Sequence, residues 1–186
     1  TQAGTAYSSS ANIVAVNQPV SITTINTTGA GMADLGGITG GVVTLSSTQT
    51  TATASAVLLS ISGLITANSL TVVGNGGAAT TIVALGAVTI NAGGSNISVT
   101  ANDAAAGSNR GVYLTGAITN NAPGSNMSFV TNNLISQIST MVVAANSSGT
   151  SAAILFDTTS GNKASDITTG ALTIAAGTNT SDINYI

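Results

Sequence analysis

Two stretches of this chain, thirty residues apart, are close copies of one another. Gly86-Ala-Val-Thr-Ile-Asn-Ala-Gly-Gly-Ser-Asn-Ile-Ser-Val99 lies over Gly116-Ala-Ile-Thr-Asn-Asn-Ala-Pro-Gly-Ser-Asn-Met-Ser-Phe129 with nine of fourteen positions identical. Three of the differences exchange one apolar residue for another. Gly170-Ala-Leu-Thr-Ile-Ala-Ala-Gly177 opens in the same way, and Ser165-Asp-Ile167 returns as Ser181-Asp-Ile183. Looser relatives are Gly37-Ile-Thr-Gly-Gly-Val-Val-Thr-Leu45 and Gly63-Leu-Ile-Thr-Ala-Asn-Ser-Leu-Thr-Val72. Threonines 44, 71, 89, 119 and 173 anchor these blocks at spacings of 27, 18, 30 and 54 residues, an irregular period. A repeat of this size cannot bury its own apolar face, but a stack of repeats can.

The blocks read as strands. They are short, β-branched and bounded by Gly, Asn, Ser or Asp, as in Gly41–Leu45, Ser69–Val73, Thr81–Leu85, Ala87–Ile90 and Asn96–Thr100. Apolar residues alternate with Thr or Ser, so one face is apolar and the other carries hydroxyls. Helix formers are scarce: the chain has no Glu, one Lys (Lys163) and one Arg (Arg110). The expected fold is all-β, a parallel β-solenoid of six to nine rungs. Residues 1–35 form an N-terminal arm or first irregular strands, and residues 36–186 form the solenoid as a single domain. Inner ladders of Val, Ile and Leu then face outer ladders of Thr, Ser and Asn, with Asn96 stacked over Asn126 so that its amide serves backbone groups in the bends. The alternative is an antiparallel β-sandwich pilin. There Gly74-Asn-Gly-Gly77 makes a hairpin, and Asn12 to Ile22 is an arm donated to the next subunit.

The blocks Gly-Ala-Val-Thr-Ile-Asn-Ala-Gly-Gly and Gly-Ala-Leu-Thr-Ile-Ala-Ala-Gly resemble the passenger repeats of bacterial filamentous-haemagglutinin-type adhesins and autotransporters. Residues 86–99, 116–129 and 170–177 carry the similarity, which extends weakly over 36–186. The resemblance implies a large right-handed β-helix and a secreted, surface-attached, non-catalytic role.

Composition narrows the chemistry. Without His or Cys there is no zinc finger, haem site, iron–sulfur cluster or Ser-His-Asp triad. Two basic residues leave no footprint for nucleic acid. Charge is absent from residue 35 to residue 102, yet the apolar runs there are short and interrupted, so no membrane span is expected. The chain opens on Thr1, as a processed chain or a piece of a longer one does.

The remaining candidates are few. No metal, cofactor or catalytic group is expected: Gly74-Asn-Gly-Gly77 lacks the aspartate of the calcium-binding glycine repeats. Asp157, Lys163 and Asp166 make at most a sparse carboxylate–cation group of the kind a polysaccharide-cleaving enzyme needs. The aspartates, Asp34, Asp103, Asp157, Asp166 and Asp182, are expected in turns and loops. Asn26, Asn96, Asn126, Asn146 and Asn179 head Asn-x-Ser/Thr sequons and are candidate glycosylation sites. Loops 102–110 and 158–165 are candidate contacts for surface glycans. Thr48-Gln-Thr50 and Thr51-Ala-Thr53 suggest a water-ordering, ice-binding face, but such a face needs constant spacing in every rung, which the irregular period does not offer.

Solenoid ends carry unpaired backbone groups. Ile13, Val14 and Val16 at one end, with Ile183, Tyr185 and Ile186 at the other, are the candidate assembly surfaces for head-to-tail self-association. The functional expectation is a non-enzymatic extracellular filament subunit or adhesin stalk, with a donor-strand pilus subunit, a glycan-binding segment and an ice-binding solenoid as alternatives.

Overall fold

The computed structural model describes residues 2–3, 7–8, 12–26, 32–49, 57–76, 81–103, 110–132, 134–137, 140–143, 153–158, 167–174 and 182–185. The strands come in repeating groups of three. The first group is β1 (Gln2–Ala3), β2 (Tyr7–Ser8) and β3 (Ile13–Ala15); the second is β4 (Val20–Asn26), β5 (Met32–Leu35) and β6 (Ile38–Gly40). There follow β7 (Val42–Gln49), β8 (Val57–Ile61) and β9 (Ile65–Ala67), then β10 (Ser69–Gly76), β11 (Thr81–Leu85) and β12 (Val88–Ile90). The next groups are β13 (Ile97–Asp103), β14 (Arg110–Leu114) and β15 (Ile118–Asn120), and β16 (Asn126–Thr131), β17 (Leu134–Gln137) and β18 (Met141–Val143). Last come β19 (Ala153–Asp157), β20 (Ile167–Thr168) and β21 (Leu172–Ile174), and finally β22 (Asp182–Tyr185).

Each group is one turn of a parallel β-solenoid. The first strands of all groups line up as an eight-stranded sheet A, the second as a seven-stranded sheet B and the third as a seven-stranded sheet C. The ladders of all three sheets are parallel, with neighbouring rungs about 4.8 Å apart. Among the described residues there is no helix, and so no helix long and apolar enough to cross a membrane.

Alternation in the sequence becomes alternation in burial. In β7 (Val-Val-Thr-Leu-Ser-Ser-Thr-Gln) every second residue is buried, and in β6, β9, β12 and β15 the middle residue alone turns outward. Register then stacks like on like. One inner column of sheet A runs Val20, Val43, Leu70, Ile97, Met127, Ile154. The inner column of sheet C runs Ile13, Ile38, Ile65, Val88, Ile118, Met141, Leu172. Sheet B contributes Leu59, Val83, Val112 and Ile135. The buried column is densest over about four turns, from β7 to β18. Beyond Val99 the adjoining sheet A column changes to aromatic: Phe129 and Phe156 are both fully buried and stack with ring centroids 5.5 Å apart. Such an offset pair adds about 0.5–1.5 kcal/mol to the burial of the two rings.

The antiparallel sandwich is overturned. Gly74 and Gly76 lie inside β10, and the strand after them joins sheet B of the same turn instead of folding back as a hairpin. Nor is the Asn12–Ile22 segment held out as an arm: β3 and β4 pair with β6 and β7 of their own solenoid. Asp34, Asp103, Asp157 and Asp182 also depart from the turn and loop expectation, since their backbones belong to β5, β13, β19 and β22, and Asp166 lies outside the described residues.

Successive rungs come into close backbone contact at the corner between sheets B and C. A methyl group built on Gly63 would stand 2.6 Å from the carbonyl carbon of Gly36, and one on Gly86 would stand 2.6 Å from the carbonyl oxygen of Ser62. On Gly116 it would press into the backbone of Gly86 and Ala87. Only glycine lets successive turns touch here. Gly116→Ala is therefore expected to cost about 1–3 kcal/mol through overpacking. Gly93→Ala, at a position with no atom within 4 Å of the added carbon, is expected to stay within about 0.5 kcal/mol of wild type. Urea unfolding of the two variants checks the contrast.

Candidate functional site

The outer surface of sheet C is the most regular part of the molecule. Its outward column is Val14, Thr39, Thr66, Thr89, Thr119 and Val142, one residue from each of six successive turns and every one β-branched, and the backbone register continues to Thr173. Spacing along the chain is uneven, at 25, 27, 23, 30, 23 and 31 residues, because the connections between strands differ in length. Spacing in space is set by the ladder. The entry to each strand is tied by the same bond: the N–H of Ile13, Ile38, Ile65, Val88, Ile118 and Met141 each donates to a carbonyl of the following turn, at 2.9 Å in every case.

This column corrects the threonine alignment taken from the sequence. Thr44 and Thr71 pair with each other in sheet A, whereas Thr89 and Thr119 pair in sheet C. The 18-residue step from Thr71 to Thr89 crossed from one sheet to another, and the 54-residue step from Thr119 to Thr173 skipped the turn of Val142. The missed signal is a Gly-x-apolar-Thr pattern at 36–39, 63–66, 86–89, 116–119 and 170–173. In the first four of these its glycine makes the corner, its apolar residue fills the core and its threonine faces out. Of the Thr-x-Thr pairs, Thr48 lies half-buried in β7, and residues 50–53 lie outside the described residues.

Asparagines edge the same face. The side-chain Nδ2 of Asn91 donates to Oδ1 of Asn68 at 2.9 Å, and the backbone N–H of Gly37 donates to Oδ1 of Asn12 at 2.8 Å. At the start of sheet A, Asn96 does stack over Asn126. The N–H of Asn126 donates to Oδ1 of Asn96 at 2.8 Å, and the N–H of Ala153 donates to Oδ1 of Asn126 at 3.1 Å. Each amide oxygen thus caps the first N–H of the next strand. Asn120 sits in an inward position, fully buried, and is satisfied by the N–H of Ala122 and the carbonyl of Ser95, both at 3.0 Å.

Two shallow hollows mark the surface. One, of about 330 Å³, lies over Ala84 and Gly86, between Ser60 and Ser62 on one side and Tyr113 and Thr115 on the other. A smaller one of about 210 Å³ lies against the sheet C column itself, over Gly37 and Gly63, lined by Val14, Thr39 and Thr66 of that column and by Asn12 and Leu64. Val14 is 67% exposed, and Leu64 50%.

Of the sequence-derived candidates, Ile13 and Val14 lie on β3, the outermost strand of sheet C; Ile13 packs against the core while Val14 and Val16 are exposed. Ile183 and Tyr185 lie on β22, the outermost strand of sheet A, with Ile183 exposed; Ile186 lies outside the described residues. Among the sequon asparagines, Asn96 and Asn126 are exposed, Asn26 ends β4, and Asn146 and Asn179 lie outside the described residues. Asp157 closes β19 half-buried, while Lys163 and Asp166 lie outside the described residues, as does most of each proposed glycan-contact loop. Asp103 ends β13 and Asp182 begins β22. No group of three or more metal-ligating acids comes together among the described residues.

Compared with protein-family models, curated proteins and solved structures, the chain finds no match.

The asparagine caps generate a local prediction. Asn126→Ala removes the acceptor for the Ala153 N–H and is expected to cost about 0.5–1 kcal/mol, since water can partly replace an exposed partner. Amide exchange at Ala153 should accelerate in Asn126→Ala but not in Asn126→Asp, which keeps an oxygen in place.

Proposed function

We propose that the chain is a non-enzymatic structural element of an extracellular surface fibre, a solenoid stalk of the filamentous-haemagglutinin type that stacks head to tail with copies of itself. The observation that supports this reading is the ladder itself. Among the described residues seven successive turns each present three parallel strands, with core residues in line and, at six entries to sheet C, the same 2.9 Å bond. A further turn, from this chain or from another copy, adds by the same hydrogen bonds and extends the same apolar columns. The outward surface of Thr, Ser and Asn suits a durable exposed rod: it satisfies its own backbone and carries few charges to be screened or titrated. Glycan contact by such a rod is a secondary role, assigned to its loops.

Electron microscopy and fibre diffraction of the purified chain test this proposal. Unbranched filaments with a meridional reflection near about 4.8 Å are the expected result. Isolated particles at high concentration, or filaments repeating only at whole-subunit spacing, overturn head-to-tail stacking.

A further inference from the structure

We infer that the outer face of sheet C is an ice-binding surface, whose ligand is the ordered water of a crystal face. This inference rests on the fold and is independent of whether the chain assembles into a fibre.

The requirement left unmet by the sequence was constant spacing in every rung, and the ladder meets it. Thr39, Thr66, Thr89 and Thr119 stand in consecutive turns at the strand spacing of about 4.8 Å, with Val14 before them and Val142 and Thr173 after them. The other outward columns are not like this. The sheet A column through Thr71 reads Ser21, Thr44, Thr71, Ser98, Ser128, Leu155; the sheet A column through Val73 is β-branched at Val73, Thr100 and Val130 but has Ser46 before them and the charged Asp157 after them; and a sheet B column reads Ser60, Ala84, Tyr113. β-branching restricts χ1, which narrows the arrangements open to the methyl and hydroxyl groups along the sheet C column.

The chemistry of the column fits water that is already ordered. Methyl groups restrict the orientations of the water beside them. Hydroxyls both donate to and accept from that water. In liquid, fixing such waters costs up to about 2 kcal/mol each. At an ice surface they are fixed beforehand, so an array of weak contacts adds up without that cost. Ions would interrupt the array by organising water around themselves. None of the seven charged residues of the chain falls in β3, β6, β9, β12, β15, β18 or β21, or in the corners that enter them. The flank before the column is small at Gly37, Ala87 and Ala117, and the flank after it is neutral, at Asn68, Asn91 and Asn121. The hollow at Gly37 and the exposed Leu64 interrupt the face beside Val14, Thr39 and Thr66, while the strand register carries the column through this region from Thr39 to Thr66.

The experiment measures thermal hysteresis and ice-recrystallisation inhibition for the full chain and four variants. Wild type is expected to shape ice and arrest recrystallisation. Thr66→Lys and Thr89→Lys, which place a long cation on the column, are expected to lose both effects. Thr71→Lys, an exposed threonine on sheet A, is expected to keep them. Thr89→Val is also expected to keep them, because valine already occupies the column at Val14 and Val142. Circular dichroism melts restrict the comparison to folded variants, and either Lys variant suffices if the other fails to fold. Wild type behaving like an inert protein of equal mass overturns the inference. So does equal loss in Thr71→Lys, or retention in both folded column variants. Sedimentation velocity adds one more overturning result: a wild-type dimer that Thr89→Lys dissociates means that a second copy, not ice, covers this face.

Discussion

Backbone hydrogen bonding between successive turns is the constraint on which everything else depends. A turn of three short strands has too little apolar surface to fold alone, and its N–H and C=O groups point along the axis toward the turns before and after it. Once those groups pair in parallel, each residue is set beside its equivalent one turn away. The identity of a column then matters more than that of any single residue. An isoleucine is useful at position 65 because positions 38 and 88 are also β-branched and apolar. A glycine is required at position 116 because the backbone of Gly86 and Ala87 leaves no room for more.

The same constraint explains how little charge the molecule uses. A charged residue repeated in a column would face its own kind at about 4.8 Å, a repulsion that in-register stacking cannot avoid. Hydroxyls and amides have no such difficulty, since each can donate and accept along the column. The asparagines carry this furthest: the amide oxygen at Asn96 serves the next turn's strand, and the asparagine that begins that strand serves the one after. Polar groups thus act as connectors along the axis.

Much of this was legible in the sequence, and the limits are instructive. The thirty-residue offset between 86–99 and 116–129 is the true register, pairing Thr89 with Thr119 and Val99 with Phe129. Period-two alternation identified the strands, and Asn96 over Asn126 followed from the same overlay. Assignment of each block to a sheet was not legible, since Val-Thr-Leu at 43–45 and Val-Thr-Ile at 88–90 look alike yet belong to sheets A and C. A strand's sheet is decided by the corner leading into it, and glycines do not mark corners alone: Gly74 and Gly76 suggest a hairpin turn yet lie inside β10. The regularity of the sheet C face was hidden for a related reason: connections of unequal length scramble the period along the chain while leaving the axial distance untouched.

That separation between uneven connections and an even axis has a genetic consequence. Each turn is specified by its immediate neighbours alone, with Val43 beside Leu70 and Leu70 beside Ile97. Removal of residues 70–96 would bring Val43 beside Ile97, a pairing of the same kind, and a tandem duplication of that segment would insert one more turn without disturbing the rest. A gene for such a protein can lengthen or shorten by unequal crossing-over in steps of one turn. Rod length is thereby open to rapid change while the cross-section is held constant.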